Sequence, residues 1–243
     1  MNDPIPISGD DKFRFSCSSD VSCFNECCKD LNQFLTPYDI LRLKNHLGVS
    51  SGSFLKDYTT CHEGPETGLP VISLKPGSDS ELKCPFVTPG GCSVYEDRPS
   101  SCRTYPLIRA VSRSRETGKV SEYYALLKEP HCLGFERGPS RTVHEWIDKQ
   151  GILIYNEIND MMLEIISMKN QYSPGPLDLK SGHIFYTALY DLDSFRTQIL
   201  KNKLSYDFAQ DQQIVDIKKN DDLALLKFSY KWIQHVLFGK IKK

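Results

Sequence analysis

A chain of 243 residues, 40% hydrophobic and 25% charged, has the composition of an ordinary globular protein and enough apolar material for one large domain or two small ones. A formal net charge of −1 and a pI near 6.6 give no electrostatic reason to expect nucleic acid or an anionic membrane as the main partner. No stretch approaches the roughly 20 apolar residues that cross a bilayer, and Met1 to Phe15, with Asp3, Asp10 and Asp11, lacks the layout of a secretory signal, so the expectation is a cytoplasmic protein without membrane insertion.

Four cysteines, Cys17, Cys23, Cys27 and Cys28, crowd the first thirty residues. A well-punctuated helix follows. Thr36 supplies an N-cap hydroxyl, Pro37 the first helical position, Asp39 a carboxylate at the third and Gly48 the stop. Ile40, Leu43 and Leu47 recur at helical spacing, which turns one face inward. Ser53 to Tyr58 reads as another short helical turn. Val71-Ile72-Ser73-Leu74 reads as a strand, Pro76-Gly77-Ser78-Asp79 as a turn and Pro89-Gly90-Gly91 as a second turn. Cys84 and Cys92 flank that second turn, where a hairpin would bring them together.

Leu107 to Arg113 and Val120 to Lys128 read as two more strands joined at Glu116-Thr117-Gly118-Lys119, completing a small, mostly antiparallel sheet. Beyond Cys132 the pattern turns helical. Thr142-Val143-His144-Glu145 matches a capping box, with Trp146 and Ile147 opening an apolar face, and Ile154, Ile158, Met161, Met162 and Ile165 extend a longer helix after Gly151. Ser173-Pro174-Gly175-Pro176 breaks it. The remainder carries no cysteine and ends in an amphipathic helix with Leu226, Tyr230, Ile233 and Leu237 on one side. That stripe is most simply a packing surface, with a membrane-surface or partner-helix role as the alternative. The expected fold class is α+β: a small antiparallel β-sheet and hairpins with flanking helices around a cysteine metal site, then a mostly helical C-terminal part. The expected domains are 1–172, binding metal, and 173–243, a helical extension packing on it.

In a reducing compartment a cysteine-rich pattern is metal-binding or catalytic rather than a disulfide framework. The candidate metal ligands are Cys17, Cys23, Cys27, Cys28, Cys84, Cys92, Cys102 and Cys132. The isolated Cys61 reads as an ordinary small buried hydrophobe. On a helix Cys23 and Cys27 would lie one turn apart on the same face, whereas adjacent Cys27 and Cys28 would diverge and address different sides of a centre, or two centres. Eight thiolates would satisfy two four-coordinate sites; alternatively, four would hold a cubane cluster, with the rest in redox exchange, a second metal or structure.

Thiolate ligation suits zinc and iron–sulfur clusters and disfavours magnesium and calcium. The C-x2-C chelates usual in structural zinc sites are absent, and iron–sulfur ligands tolerate wider spacing. Arg98 and Arg103 would offset thiolate charge near the cofactor, and backbone N–H groups near Gly90, Gly91 and Gly134 would donate to sulfur. Surface or core-edge salt bridges are the plain alternative for the two arginines. His62 and His131 adjoin cysteines and would complete a mixed site, while His46, His144 and His235 read as surface or packing residues. No nucleophile–base pair is recognisable.

The runs Cys17…Cys23-Phe24-Asn25-Glu26-Cys27-Cys28, Leu35-Thr36-Pro37-Tyr38-Asp39-Ile40, Cys84-Pro85-Phe86…Gly91-Cys92-Ser93-Val94-Tyr95-Glu96-Asp97-Arg98-Pro99…Cys102-Arg103…Tyr105-Pro106 and Cys132-Leu133-Gly134-Phe135-Glu136-Arg137-Gly138 together resemble the YkgJ-type cysteine-cluster family. That resemblance covers roughly Phe15 to Asp160 and implies a zinc- or iron-chelating domain, often an iron–sulfur protein. The Cys17 to Cys23 gap is wider than the short spacing common in the family.

Three functions follow as expectations. The first is a protein holding one or two iron–sulfur clusters, 4Fe-4S as the leading type, for electron transfer or a redox step with an unidentified redox or protein partner; as an enzyme it would be an iron–sulfur oxidoreductase. The second is a zinc-stabilised protein-interaction module. The third, implied only by the family's relation to flagellin lysine methylase, is a protein-modifying enzyme, although no Gly-rich nucleoside-cradling pattern is present.

Overall fold

The computed structural model describes residues 3–78, 80–114, 116–201 and 221–239. Asp79 of the expected turn, and residues 202–220 and 240–243 of the expected tail, lie outside the described residues. In chain order the strands are β1 (Ile5–Ile7), β2 (Lys12–Phe15), β3 (Phe34–Leu35), β4 (Thr59–Glu63), β5 (Pro70–Leu74), β6 (Val87–Thr88), β7 (Gly91–Cys92), β8 (Leu107–Arg113), β9 (Val120–Leu126) and β10 (Phe135–Thr142). The α-helices are α1 (Pro37–Leu47), α2 (Ser51–Tyr58), α3 (Ser100–Thr104), α4 (Val143–Gln150), α5 (Leu153–Tyr172), α6 (Leu179–Leu189), α7 (Leu192–Leu200) and α8 (Asp222–Ile233). Small antiparallel sheets with helices make this an α+β fold with a helical C-terminal part.

The chain forms two compact units, one from residues 1–31 and 76–154, the other from 32–75 and 155–243. This grouping differs from a boundary near residue 173, because the C-terminal helices cluster with residues 32–75 as well as with most of α5.

The first unit is built on short strands. β8 and β9 pair in the expected antiparallel register, Leu107 opposite Leu126 and Arg113 opposite Val120, and β1 adds to the free edge of β9 with Ile5 opposite Leu126. β2 alternates exposed Lys12 and Arg14 with buried Phe13 and Phe15, the period-2 pattern of a half-buried strand. Its partner β10 was not foreseen, since Phe135 to Thr142 carries a glycine, a proline and three charged residues that read as breakers. The pairing is irregular, with a register shift between Phe135 and Ser140 where Glu136 and Gly138 adopt positive φ. β2 supplies the order that local propensity does not.

Phe15 centres the core of this unit. Its ring meets Tyr105, Phe135 and Trp146 edge-on at 5.5, 5.3 and 5.7 Å, and Leu107, Leu126, Val143, Ile147 and Ile152 close around it. Each such side chain contributes roughly 1.5–3 kcal/mol by burial. Gly134 lies so close to the chain after Phe15 that a Cβ there would meet the Ser16 carbonyl at 2.6 Å and the Phe15 ring at 2.7 Å. Close approach lets the Ser16 N–H donate to the Gly134 carbonyl at 3.0 Å. Cys17 is thereby held beside the segment that carries Cys132.

The second unit is mostly helical. Thr36 and Asp39 form the capping box of α1 and Gly48 closes it; Ile40 and Leu43 point into the core, as their spacing predicts. β3, β5 and β4 form a three-stranded antiparallel sheet in that order. β5 is the expected strand, while β4 was not foreseen; its Thr-Thr-Cys-His-Glu sequence is exposed after Thr59 and takes its order from pairing with β5. Leu226, Tyr230 and Ile233 of α8 are fully buried, with Leu237 half-buried in the π turn that follows. The C-terminal stripe is a packing surface. Lys44 of α1 reaches Asp193 at 3.2 Å and Asp222 at 2.8 Å, and Arg196 pairs with Asp222 as well, while Ser51 donates its N–H to Asp193 and its hydroxyl to Asp191, both at 2.6 Å. These bonds join α1, α2, α7 and α8 around partly buried charge.

Candidate metal centre

All eight candidate ligands fall in the first unit, and Cys61 falls in the second, on β4 opposite Ile72, where it is exposed rather than buried as expected because β4 turns only Thr59 inward. Every cysteine is a free thiol, and none of the nine is fully buried. Ordinary core packing therefore does not account for the eight.

The N-terminal group sits on a chain of tight turns rather than an α-helix. Phe24 donates to Val21, Glu26 to Cys23 and Cys28 to Asn25, and Asn25 at φ 70° ends any helical run before a 3-10 turn over Glu26–Cys28. The expected helical spacing of Cys23 and Cys27 is thus replaced by successive turns that still carry both to one place. Cys17, Cys23, Cys27 and Cys132 line a common, partly open pocket with Phe15, Ser16, Tyr105, His131 and Gly134.

The second group hangs on a hairpin and a short helix. β6 and β7 set Val87 opposite Cys92, with Cys84 just before the first strand, so the turn at Pro89-Gly90-Gly91 makes the two cysteines electrostatic neighbours, as expected. Cys102 follows on α3. The Cys84 N–H donates to the Cys28 carbonyl at 2.8 Å, tying this hairpin to the N-terminal turns.

Burial and the charges of Cys27, Cys23 and Cys132 push the Cys17 thiol up to about 11, against the pull of Arg98. Cys28 donates a hydrogen bond to Cys27, which lowers Cys27 to about 7 and raises Cys28, itself facing Cys84 and Cys102. Burial pushes the Cys84 and Cys92 thiols up, while the backbone N–H groups of Phe86 and Val87 at Cys84 and of Val94 at Cys92, together with Arg98 at Cys92, favour their thiolates. The Leu133 N–H donates to the Cys23 sulfur at 3.1 Å. Sulfur donors therefore come from Leu133, Phe86, Val87 and Val94, near the glycines the sequence pointed to. They are main-chain groups, so no side-chain pattern announces them.

The two arginines behave differently. Arg98 is buried, stacks 3.8 Å over the Tyr95 ring, and is an electrostatic neighbour of Cys102, Cys92 and Cys17. Its guanidinium also donates to the Tyr95 carbonyl and the Gln150 side chain. Arg103 donates to the carbonyls of Glu96 and Gln150, placing a cation at the C-terminus of α4, where the helix dipole favours it. Arg98 thus stands beside the thiols, and Arg103 fastens the loop that carries Cys92 and Cys102 to α4.

Tyr105, Phe15 and His131 complete the pocket wall. Burial, and then hydrogen-bonding approach to Cys132 and its charge, push the Tyr105 phenol up, although the hydroxyl meets no partner at strict hydrogen-bonding geometry. A buried O–H beside the Cys132 thiol, four sulfurs lining one pocket and several N–H donors fit a thiolate-bound soft or borderline metal. As the side chains stand, no three His, Cys, Asp or Glu groups among the described residues form a ready-made ion site; a bound metal would draw the neighbouring sulfurs inward as their protons leave. Of the histidines, His131 lines this pocket and pairs with Glu129 at 3.5 Å. His62 lies in the second unit beside Phe34.

Residues 16–132 match the model of the CxxCxxCC family. The family is described as a "Putative zinc- or iron-chelating domain". This CxxCxxCC domain takes in all eight candidate ligands, and metal chelation is the function the match supports. Its own N-terminal spacing departs from the family name, with five residues between Cys17 and Cys23 and three between Cys23 and Cys27. No curated protein and no solved structure matches the chain. Among the described residues, no helix is long and apolar enough to cross a membrane.

Proposed function

We propose that the CxxCxxCC domain of this chain, in the YkgJ-type branch of its family, holds one or two iron–sulfur clusters, 4Fe-4S as the leading type, and serves electron transfer or a redox step with a protein partner in the cytoplasm. The observation that carries the reading is the gathering of eight partly exposed thiols from remote parts of the chain into one unit, with main-chain N–H groups and Arg98 against them. N–H donors and a nearby cation stabilise thiolate charge and raise the potential of a cluster. When bound, the cluster would supply one-electron chemistry; the chain's residues supply ligation, charge compensation and a partly open face for a partner.

Anaerobic purification tests this directly. The expected preparation is brown and contains iron and acid-labile sulfide in comparable amounts. A colourless preparation with stoichiometric zinc overturns it and favours the second reading, a zinc-stabilised protein-interaction module. That reading draws on Cys84 and Cys92, whose hairpin geometry and N–H donors would equally suit a zinc chelate.

A further inference from the structure

We infer that the eight cysteines divide into two four-sulfur centres, Cys17, Cys23, Cys27 and Cys132 in one, and Cys28, Cys84, Cys92 and Cys102 in the other, with the adjacent Cys27 and Cys28 at the boundary between them. The inference rests on the metal-binding reading and adds to it the number of sites and the membership of each. Both would take a soft or borderline ion, either as zinc or within an iron–sulfur cluster.

Three observations carry the division. The first set lines one pocket, and no cysteine of the second set does. Within that pocket the Leu133 N–H bonds the Cys23 sulfur next to Cys132, and Gly134 fastens Ser16 beside Cys17, so two distant segments are pinned together on the same wall. The second set is joined by different contacts. The Cys84 N–H bonds the Cys28 carbonyl, Cys84 precedes and Cys92 ends the β6–β7 hairpin, Cys28 has Cys84 and Cys102 as electrostatic neighbours, and Arg98 has Cys92 and Cys102.

The third observation is the turn that separates them. In a 3-10 helix of three residues per turn, successive side chains leave the axis about 120° apart, so Cys27 and Cys28 start toward different sides while their sulfurs stay in hydrogen-bonding contact at the boundary. Cys27 also has Cys84 and Cys92 as electrostatic neighbours, which places it nearest the boundary. Its place in the pocket lining assigns it to the first set, and four other sulfurs already fill the second.

The test is metal and sulfide content per chain, with electron paramagnetic resonance of the reduced protein, for the full chain and for Cys132→Ser, Cys102→Ser and the double variant. Each single variant should lose about half of the bound metal and one of two spectral signals, and the double variant nearly all. The surviving centre in each single variant reports that the unit is folded. Where Cys102→Ser precipitates, Cys92→Ser on the hairpin should give the same half loss. Complete loss from every single variant would show one shared site and overturn the division, as would full retention in either. Two zinc ions per chain falling to one would uphold the division while overturning the iron–sulfur reading, whereas a full chain without metal after anaerobic purification and reconstitution with iron and sulfide overturns both.

Discussion

The two units of this chain meet the demands of folding by different means. In the second, α-helices bury Ile40, Leu43, Phe54, Phe185, Leu189, Phe195, Leu226 and Ile233 almost completely, and a partly buried ion network joins three helices. In the first, the strands around Phe15 have a core of their own, yet from Ser16 to Leu31 only Val21 is buried. A segment with so little apolar burial gains little from the hydrophobic effect. On the proposed reading, the cysteine-bearing turns draw much of their order from a bound metal, and the helical unit does not.

Metal removal should break the comparison most sharply. Under anaerobic chelation, amide exchange in residues 16–31 and 84–102 should rise by orders of magnitude, since structural zinc alone contributes about 10 kcal/mol in small domains, while α1, α6 and α8 stay protected. Equal loss of protection in both units would remove the distinction. Next in size, Phe185→Ala should cost about 3–5 kcal/mol in denaturant unfolding and leave metal per folded chain unchanged. Phe15→Ala should cost a similar amount and also lower metal content, because Phe15 both centres its core and forms the pocket wall.

Charge sharpens the comparison further. Lys44→Met removes one partner each from Asp222, which keeps Arg196, and Asp193, which keeps the Ser51 N–H, and should destabilise by about 2 kcal/mol. Burial pushes the Asp222 carboxyl up, but the hydrogen bond and charge of Lys44, with Asn45 and Arg196, outweigh it and hold the group below the ordinary aspartate range. The folded value is the depressed one, so this stabilisation is complete above the unfolded pKa and lost as pH falls through the lower folded value. Wild-type stability should therefore decline below about pH 4, and Lys44→Met should flatten that acid limb. Arg103→Ala removes bonds to the Glu96 and Gln150 carbonyls and should cost about 1–3 kcal/mol, weakening metal retention without abolishing it. The smallest effect belongs to Cys61→Ser, expected within about 0.5 kcal/mol of wild type with unchanged metal content.

What the sequence made legible was local. Thr36 with Asp39, and Thr142 with Glu145, announce their helices because a capping side chain bonds a backbone group three residues away. The Pro89-Gly90-Gly91 turn announces the hairpin, and the isolation of Cys61 announces its separateness. β10 stayed hidden, since its order comes from β2, more than a hundred residues earlier, and not from Phe135 to Thr142 themselves. The turns around Asn25 were hidden for a related reason: cysteines four apart fit a helix equally well until a positive φ excludes it. Within the site, the eight sulfurs could be named from their clustering, but their neighbours could not. Phe15 was available in the alternation of Lys12-Phe13-Arg14-Phe15, and Tyr105 in its place after Cys102. The Leu133 N–H left no trace in residue identity at all.

X-ray absorption at the metal edge of the anaerobically purified full chain tests the central claim most directly, because it reads the atoms bound to the ion. The account predicts an iron edge with a first shell made only of sulfur. A first shell dominated by oxygen or nitrogen, or protein free of any metal, would contradict it.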